Sequence, residues 1–429
     1  MRSVENCPPS EVSSATGHVG ALALGVLVVI AFAFDLPVAA AVPLFLLGTA
    51  VPMVLWDLAI EKVHRRPSTG LDFSLRPQAE DVLPIVLTKT IGLFATWTLI
   101  GVGYFAIKYY MAKQFSFYFA LLELMLPALV VLAPAYLWLT TCLMTEPKDG
   151  LWHFGRLISL ERGEVDLRKV ADHLRSWLIK AFFLAFMISI FPNIVHAVMQ
   201  IDLSRLLSDP TALAIFLVRL MFLFDVCFGT IGYILTLRPL DSHVRSANPL
   251  LGGWVAALIC YPPFAVMGNG GPLDYRAGSQ EWLTWFAGQD ALLILWGGVI
   301  VALVFIYAWS TVIFGIRFSN LTHRGIITNG PYRYFRHPAY LSKNLTWWLI
   351  HLPFLSAVDS TTALQNCVLL LMVNGIYYLR AKTEEQHLEE DARYRAYSAW
   401  IERHGILPRL RAPIAQRLAS FGIRVSTAR

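Results

Sequence analysis

Two polar stretches carry side chains that can bind a charged ligand, in a chain that is otherwise apolar. The first, GPYRYFRHPAYLSKN at 330–344, contains adjacent Arg336 and His337. The second, RAKTEEQHLEEDARYRAY, contains adjacent Glu384 and Glu385. Arginine binds carboxylates through charge-assisted hydrogen bonds, and glutamate binds ammonium groups or offsets a sulfonium charge. The two stretches therefore supply opposite halves of a site for a ligand that carries both kinds of charge.

The helices that carry these stretches are predicted to bring them together. Pro338 suits the first turn of a helix, where its missing N–H is not needed, so Arg336 and His337 lie at the start of that helix. An apolar run at 339–357 follows, the chain turns near AVDSTT, and a second run at 361–379 returns. Two linked helices of equal length bring their outer ends to the same depth. The glutamate pair should therefore face the Arg-His-Pro cluster across a pocket.

A pocket of this composition suits a ligand that combines an amino acid head group with a sulfonium. Arginine and the N–H groups at a helix start can hold the carboxylate. Carboxylates and tyrosine faces can hold the positive groups. S-adenosylmethionine has this chemistry. The charge pattern also allows a second interpretation, in which Arg336 only forms a salt bridge with Glu384 that ties the two helix ends together.

The composition of the chain is that of an integral membrane protein. Of its 429 residues 56% are hydrophobic and 15% are charged, with a mean hydropathy of +0.55. Soluble domains have roughly 25% charged residues. The five cysteines form no CxxC motif, so neither a structural zinc site nor a disulfide framework is expected. We expect no metal and no nucleic acid among the ligands.

Ten apolar runs are long enough to be read as membrane spans, each of which needs about 20 residues. They lie at 18–34, 38–56, 83–107, 116–142, 176–199, 211–236, 249–267, 289–313, 339–357 and 361–379. The sequence thus predicts an all-α, polytopic transmembrane helix bundle of about ten spans. An even number of spans places both termini on the same side of the membrane.

The distribution of positive charge predicts which side that is. Loops on the N-terminal side of these runs hold sixteen lysines and arginines, and the opposite loops hold four. Cytoplasmic loops are the ones enriched in lysine and arginine. Both termini should therefore be cytoplasmic. We expect a multi-pass protein of a bacterial inner membrane, or of the endoplasmic reticulum in a eukaryote.

Other polar groups in the first two thirds of the chain allow two interpretations each. Lys89, Glu123, Arg219 and Asp225 fall within predicted spans, where charged residues usually pair or line a functional cavity. Structural pairs, such as Lys89 with Glu123, and a substrate site are both open. The longest polar connection, 147–175, has helical spacing and should lie along the membrane surface. It is either a solvated connector or a binding element.

The two polar stretches together resemble the isoprenylcysteine carboxyl methyltransferase superfamily, which includes phospholipid N-methyltransferases. That family has the pattern G-x-Y-x-x-x-R-H-P-x-Y-x-G, followed by E-E-x-x-L and spaced tyrosines. Here these positions are Gly330, Tyr332, Arg336, His337, Pro338 and Tyr340, then Glu384, Glu385, Leu388, Tyr394 and Tyr397. The similarity covers about 286–410. It departs from the pattern at Ser342, where the family has glycine, and Lys343 follows.

The resemblance implies an integral membrane methyltransferase that uses S-adenosylmethionine and acts on a lipophilic acceptor. The acceptor would be an isoprenoid or prenylcysteine carboxylate, or a membrane lipid. Catalytic roles are implied for Arg336 and Glu384, and for Arg317, which would orient an acceptor carboxylate. The implied cofactor contacts are Gly330, Tyr332, His337, Pro338, Tyr340, Leu341, Glu384, Glu385, Tyr394 and Tyr397.

Two domains follow from this similarity, and two other functions stay open. Residues 1–285 would form a transmembrane region of about seven spans and unknown role. Residues 286–429 would form the methyltransferase-like domain, with three spans and a cytoplasmic C-terminal helix. One alternative is a sterol-reductase-like intramembrane oxidoreductase, although such chains have an Arg-His-x-Asn-Tyr type motif where this one has Arg336 to Tyr340. The other is a transporter or scaffold with a degenerate methyltransferase fold.

Overall fold

The structure is a computed structural model that describes residues 6–160, 163 and 165–410. Regular structure within these residues is almost entirely helical, with thirteen α-helices and one two-stranded sheet. The strands β1 (Ser246–Ala247) and β2 (Thr322–His323) pair antiparallel. The all-α fold class predicted from the sequence is confirmed.

The chain folds as two compact units. The larger contains Ala15–Ala265 and the short segment Gly315–Arg324. The smaller contains the described parts of Met1–Ser14, Val266–Phe314 and Gly325–Arg429. The chain therefore leaves the smaller unit for ten residues, joins the larger one, and then returns.

Eight helices form the larger unit. They are α1 (Ser14–Ala33), α2 (Val38–Ala59), α3 (Ala79–Ala106), α4 (Ser116–Leu143), α5 (Gly150–Ile158), α6 (Leu167–Met199), α7 (Pro210–Ile234) and α8 (Leu251–Leu258). Asp149 caps α5 by accepting from the N–H of Trp152, and Asp166 caps α6 by accepting from the N–H groups of Arg168 and Lys169. The helical part of the polar connector predicted from the sequence is thus α5 together with the first turns of α6.

Five helices form the smaller unit. They are α9 (Trp282–Trp285), α10 (Asp290–Val312), α11 (Pro338–His351), α12 (Ser360–Leu388) and α13 (Ala392–His404). Polar groups join three of them within apolar surroundings. The indole of Trp296 on α10 donates to the carbonyl of Leu349 on α11 at 2.8 Å, and the indole of Trp348 on α11 donates to the amide oxygen of Asn374 on α12 at 2.8 Å.

Eight of the described helices are long and apolar enough to cross a membrane, not ten. They are α1, α2, α3, α4, α6, α7, α10 and α12. The predicted spans at 249–267 and 339–357 form α8 and α11 instead, which have 8 and 14 residues. At 1.5 Å per residue, α11 is about 21 Å long, which is shorter than the roughly 30 Å of a hydrocarbon core. That the termini share one side of the membrane stays a prediction.

Prolines explain why these two helices are short. Pro262 and Pro263 follow α8 closely, and proline lacks the N–H that a helix interior requires. Pro353 follows α11, and the residue before a proline avoids the helical conformation. Leu352, the residue that ends α11, has a left-handed conformation with a φ of +42°. The sequence stays apolar beyond the end of each helix, and for this reason both runs were predicted to be full membrane spans.

Charged groups inside the larger unit do not pair as the sequence predicted. The ammonium of Lys89 on α3 is buried and lies 3.2 Å from a carboxylate oxygen of Asp149, the cap of α5. The predicted pair of Lys89 with Glu123 is therefore wrong, and Glu123 is exposed on α4. Arg219 donates to the carbonyl oxygen of Ala197 at 3.0 Å. Lys89 thus holds the start of α5 against α3.

The segment Gly315–Arg324 is anchored in the larger unit by two buried arginines. Arg317 donates to a carboxylate oxygen of Asp57 at 3.2 Å, and to the carbonyl oxygens of Leu240 and Asp241 at 3.0 Å each. Arg324 donates to the carbonyl oxygens of Gly232, Leu235, Ser242, Ile316 and Phe318. These contacts satisfy backbone groups that a membrane interior leaves without water.

Candidate active site

A tight turn in the smaller unit places the Arg-His-Pro cluster. A short 3₁₀ helix at Gly330–Arg333 leads to α11, which begins at Pro338 with His337 as the preceding cap residue. Gly330 has a φ of +56°, and a Cβ there would lie 2.8 Å from Cγ1 of Ile313. Only glycine fits this conformation and this close approach without strain.

The last turns of α12 bring the glutamate pair to this cluster. A ring nitrogen of His337 lies 3.0 Å from a carboxylate oxygen of Glu385, and the Arg336 guanidinium lies 3.2 Å from the other oxygen. The hydroxyl of Tyr340 donates to Glu384 at 3.0 Å. The structure therefore joins the two polar stretches that the sequence predicted would face each other.

The two adjacent glutamates have different surroundings. The carboxylate of Glu385 is contacted by Arg336, by His337 and by Lys382, whose ammonium lies 2.9 Å away, and its side chain is 11% exposed. The side chain of Glu384 is 41% exposed, with its hydrogen bond from Tyr340. Glu385 thus has its charge compensated within the protein, whereas Glu384 keeps carboxylate surface that a ligand can reach.

Helix α13 supports the cluster from the other side. The Arg336 guanidinium also lies 3.2 Å from a carboxylate oxygen of Glu402. The hydroxyl of Tyr397 donates to the carbonyl oxygen of Tyr332 at 2.6 Å, which fixes the turn before α11. Burial lowers the pKa of Arg336, but Glu385, Tyr394 and Glu402 together have the larger effect, so the Arg336 pKa is raised. Arg336 is therefore a fixed positive charge in this site.

The hydroxyl of Tyr394, a tyrosine of the motif, is not used in the hydrogen bonds of the cluster. It is buried, and no hydrogen-bond partner for it lies within the described residues. Burial raises the pKa of Tyr394 well above the usual value for a tyrosine, and the charge of Glu385 adds to this effect. The neutral hydroxyl can donate to a bound ligand. An unpaired buried hydroxyl costs stability, which a ligand that accepts its hydrogen bond would recover.

Cations stacked on aromatic rings form the wall next to Tyr340. The His337 and Tyr340 rings are parallel with centroids 5.5 Å apart, and the Arg380 guanidinium lies 5.1 Å from the ring centroids of both Tyr340 and Tyr377. The ammonium of Lys343 lies over the rings of Tyr307, Trp347 and Tyr377, at 5.3 to 5.7 Å. The sequence interpretation missed Arg380 and Tyr377. Their spacing with Glu384, at i, i+3 and i+7, is the helical pattern that would have identified a shared face.

The remaining residues named from the sequence occupy different positions. Pro338 is buried at the first turn of α11, and Leu341 is half-buried one turn along it. Ser342, at the position where the family pattern has glycine, is buried and donates to the carbonyl oxygen of Pro338 at 2.8 Å. Arg317 lies in the larger unit, where Asp57 and two carbonyl groups use its donors. Its role with an acceptor stays a prediction.

Comparison with protein families gives one match. Residues 291–390 match the isoprenylcysteine carboxyl methyltransferase (ICMT) family, as the motif resemblance predicted. The match includes the Arg-His-Pro cluster and the glutamate pair, and it ends before Tyr394 and Tyr397. No curated protein and no solved structure matches the chain. The match covers under a quarter of the 429 residues, and with the eight apolar helices it supports a multi-pass membrane methyltransferase.

Proposed function

We propose that the protein is an integral membrane methyltransferase that uses S-adenosylmethionine and methylates a lipophilic acceptor. One observation carries the proposal. Arg336, His337 and Tyr340 meet Glu384 and Glu385 within residues that match the isoprenylcysteine carboxyl methyltransferase family. Two stretches more than forty residues apart thus form one charged cluster at the end of apolar helices.

The side chains of this cluster fit the charged groups of the cofactor. Arg336 and the start of α11, where a helix favours negative charge, suit its carboxylate. The exposed carboxylate of Glu384 suits its ammonium, and the rings of Tyr340 and Tyr377 suit its sulfonium. The buried hydroxyl of Tyr394 can donate a hydrogen bond to the cofactor. When bound, S-adenosylmethionine supplies a methyl group activated by positively charged sulfur.

The smaller unit offers a membrane-facing route for the acceptor. Apolar side chains on α12, including Leu364, Leu371 and Leu379, are exposed along the helix that ends at the glutamate pair. A lipophilic acceptor can remain in the hydrocarbon region beside them while its polar end reaches the cluster. Methyl transfer needs little covalent help, so holding the acceptor in line and excluding water supply most of the acceleration.

The chemistry of the acceptor follows from the nearby cations. The Lys343 ammonium lies over the ring of Trp347, and the Arg380 guanidinium lies over the ring of Tyr340. An acceptor with a carboxylate, such as an isoprenoid or prenylcysteine acid, would pair with them, and so would an anionic lipid. Arg317 receives less support for this role, because Asp57 already compensates its charge.

Calorimetry on the purified full-length protein in detergent tests the proposal. We expect S-adenosylmethionine to bind and NADPH not to bind. His337→Ala should weaken S-adenosylmethionine binding about tenfold or more, because a charge-assisted hydrogen bond is worth roughly 1.5–3 kcal/mol. His18→Ala, at an exposed position of α1, is the control. Binding of NADPH alone would favour the oxidoreductase, and binding of neither would favour a transporter or scaffold.

A further inference from the structure

A polar pocket lies wholly within the larger unit, and none of its lining residues belongs to the candidate active site. Its volume is about 640 Å³, which is within the usual range for ligand sites. It is formed by the start of α5, the first four turns of α6 and the chain that follows α7. Neither the motif resemblance nor the family match extends to these residues.

Close backbone packing builds the walls of this pocket. A Cβ on Gly155 of α5 would lie 2.0 Å from the carbonyl oxygen of Thr88 on α3, so glycine is required for this contact. A Cβ on Gly150 would lie 2.6 Å from the carbonyl oxygen of Lys169 on α6. The start of α5 is therefore held against both neighbouring helices. The pocket that results is part of the packed structure rather than a gap beside a loose connector.

Positive charge dominates the lining. Six basic side chains face three acidic ones, Glu146, Asp149 and Asp172. The basic residues are Lys148, Arg168, Lys169, Lys180, Arg238 and Arg245. Two of the acids are already engaged, since Asp149 pairs with Lys89 and Arg238, and Asp172 accepts from the N–H of Ala247 at 3.0 Å.

Four of these cations form no side-chain salt bridge with a carboxylate of the described residues, namely Lys148, Arg168, Lys169 and Lys180. Asp166 accepts only from the backbone N–H groups of Arg168 and Lys169, and the ammonium groups of Lys148 and Lys180 lie over the rings of Trp152 and Trp177. Lys180 donates instead to the hydroxyl of Thr236 at 2.5 Å. Like charges that share a pocket repel each other unless an anion or water lies between them. Such a cluster is costly to the fold when empty and favourable when an anion is bound.

The depth of the pocket separates it from an ordinary solvated surface. Arg168 and Lys180 are twelve residues apart on α6, which corresponds to about 18 Å along the helix axis. Arg168 is exposed at the helix start, whereas Lys180 is half-buried at a level where the helix is already apolar. Trp177 and Leu151 add apolar surface to the same lining. The positive charge therefore extends inward along α6 from the helix start.

We propose that this pocket binds a phosphate group, either of a free phosphorylated compound or of a lipid head group. A single carboxylate has two oxygens and one negative charge, so it would leave most of the unpaired cations uncompensated. A phosphate monoester or diphosphate has more oxygens and at least one further negative charge. It can accept hydrogen bonds from several of these residues at once. The pocket thus makes the polar connection a binding element rather than a solvated connector.

The test uses the full-length protein with two probes. Inorganic pyrophosphate, titrated calorimetrically in detergent, represents a free phosphate compound. Nanodiscs that contain phosphatidic acid, compared with nanodiscs of phosphatidylcholine alone, represent a lipid head group, and retained lipid is measured by native mass spectrometry. The variants are Lys180→Gln at the inner end and Arg168→Gln combined with Lys169→Gln at the exposed end. Lys113→Gln, an exposed lysine outside the pocket, is the control.

We expect at least one probe to bind the wild type, and each pocket variant to bind it about tenfold or more weakly, with the control unchanged. Pyrophosphate binding assigns a free phosphate compound, and selective retention of phosphatidic acid assigns a lipid. The double variant changes only exposed side chains, so it should remain folded if Lys180→Gln does not. Failure of both probes with the wild type, or equal loss in the control, would overturn the proposal. S-adenosylmethionine binding, measured in parallel, should be unchanged in every variant.

Discussion

A ring nitrogen of His337 lies 3.0 Å from a carboxylate oxygen of Glu385, although 48 residues separate them in the chain. His337 immediately precedes α11 and Glu385 lies in the last turn of α12. The contact therefore closes the outer end of a helical hairpin. It also gives the two glutamates different roles, because Glu385 is bound within the protein whereas Glu384 remains accessible to a ligand.

The two glutamates should respond differently to the same substitution. Glu384→Gln should weaken S-adenosylmethionine binding about tenfold to a hundredfold and leave the thermal midpoint nearly unchanged, since its carboxylate is offered to the ligand. Glu385→Gln should lower the free energy of unfolding by about 1–3 kcal/mol, because Arg336 and His337 lose a charged partner. Calorimetry and thermal unfolding of both variants make the comparison. An unaltered affinity in Glu384→Gln would mean that the ligand head group lies elsewhere.

Gly330→Ala should destabilise the turn that precedes α11. Its φ of +56° costs a residue with a Cβ about 1–3 kcal/mol, and the added atom would also meet Ile313. Ile313→Ala is itself destabilising because Ile313 is buried, so a double-mutant cycle of the two changes isolates the part due to the contact. The control is Gly375→Ala inside α12, where no heavy atom lies within 4 Å of the new Cβ and a gain of about 0.5–1 kcal/mol is expected. Equal thermal midpoints for the two single variants would contradict the turn's proposed strain.

Arg317 distinguishes a structural role from an acceptor-binding role. Its side chain is 2% exposed and that of Asp57 is 1% exposed, so Arg317→Ala leaves a buried carboxylate without its charged partner, at a cost on the order of 3–5 kcal/mol. Combining Arg317→Gln with Asp57→Asn should recover much of that loss in thermal unfolding. A variant that stays fully stable but has a raised KM for a carboxylate acceptor would instead support the role implied by the family resemblance.

The acceptor should reach the site from the membrane, so its affinity should rise with chain length. Each buried methylene contributes up to about 0.8 kcal/mol, or about fourfold in affinity. A series of acceptors of increasing chain length, assayed in nanodiscs with concentration expressed per lipid, measures this dependence. Equal turnover of a short, water-soluble analogue and its long-chain counterpart would exclude access from the membrane.

The meeting of the two polar stretches could be predicted because it depends on local features. Pro338 marks where α11 begins, and a hairpin of two helices determines which ends are adjacent. The prediction of two equal arms is wrong, because α11 is shorter than its predicted run and α12 is longer. The outer ends still meet, because the contact of His337 with Glu385 depends on the start of one helix and the end of the other. The proline that shortens α11, Pro353, is visible in the sequence and could have corrected the span count.

The long-range pairs could not be predicted in the same way. Arg317 and Asp57 are 260 residues apart, and Lys89 pairs with Asp149 rather than with a charge on a neighbouring span. No periodicity connects such positions, because the choice of partner depends on how helices pack. The support that α13 gives through Glu402 is of the same kind. These contacts depend on tertiary packing, whereas the positions of the helices depend on local signals such as helix starts and apolar runs.

The excursion of Gly315–Arg324 into the larger unit has a consequence for modularity. A gene fragment cut at the edge of the family match would still encode these ten residues, but without Asp57, Leu240 and the strand Ser246–Ala247 that satisfy them. Arg317 and Arg324 would then be left with unmet donors in an apolar setting. The part of the chain that matches the family therefore does not contain all the partners that its own residues need. Moving it into another protein would require the segments around Asp57, Leu240 and Ser246 to be moved with it.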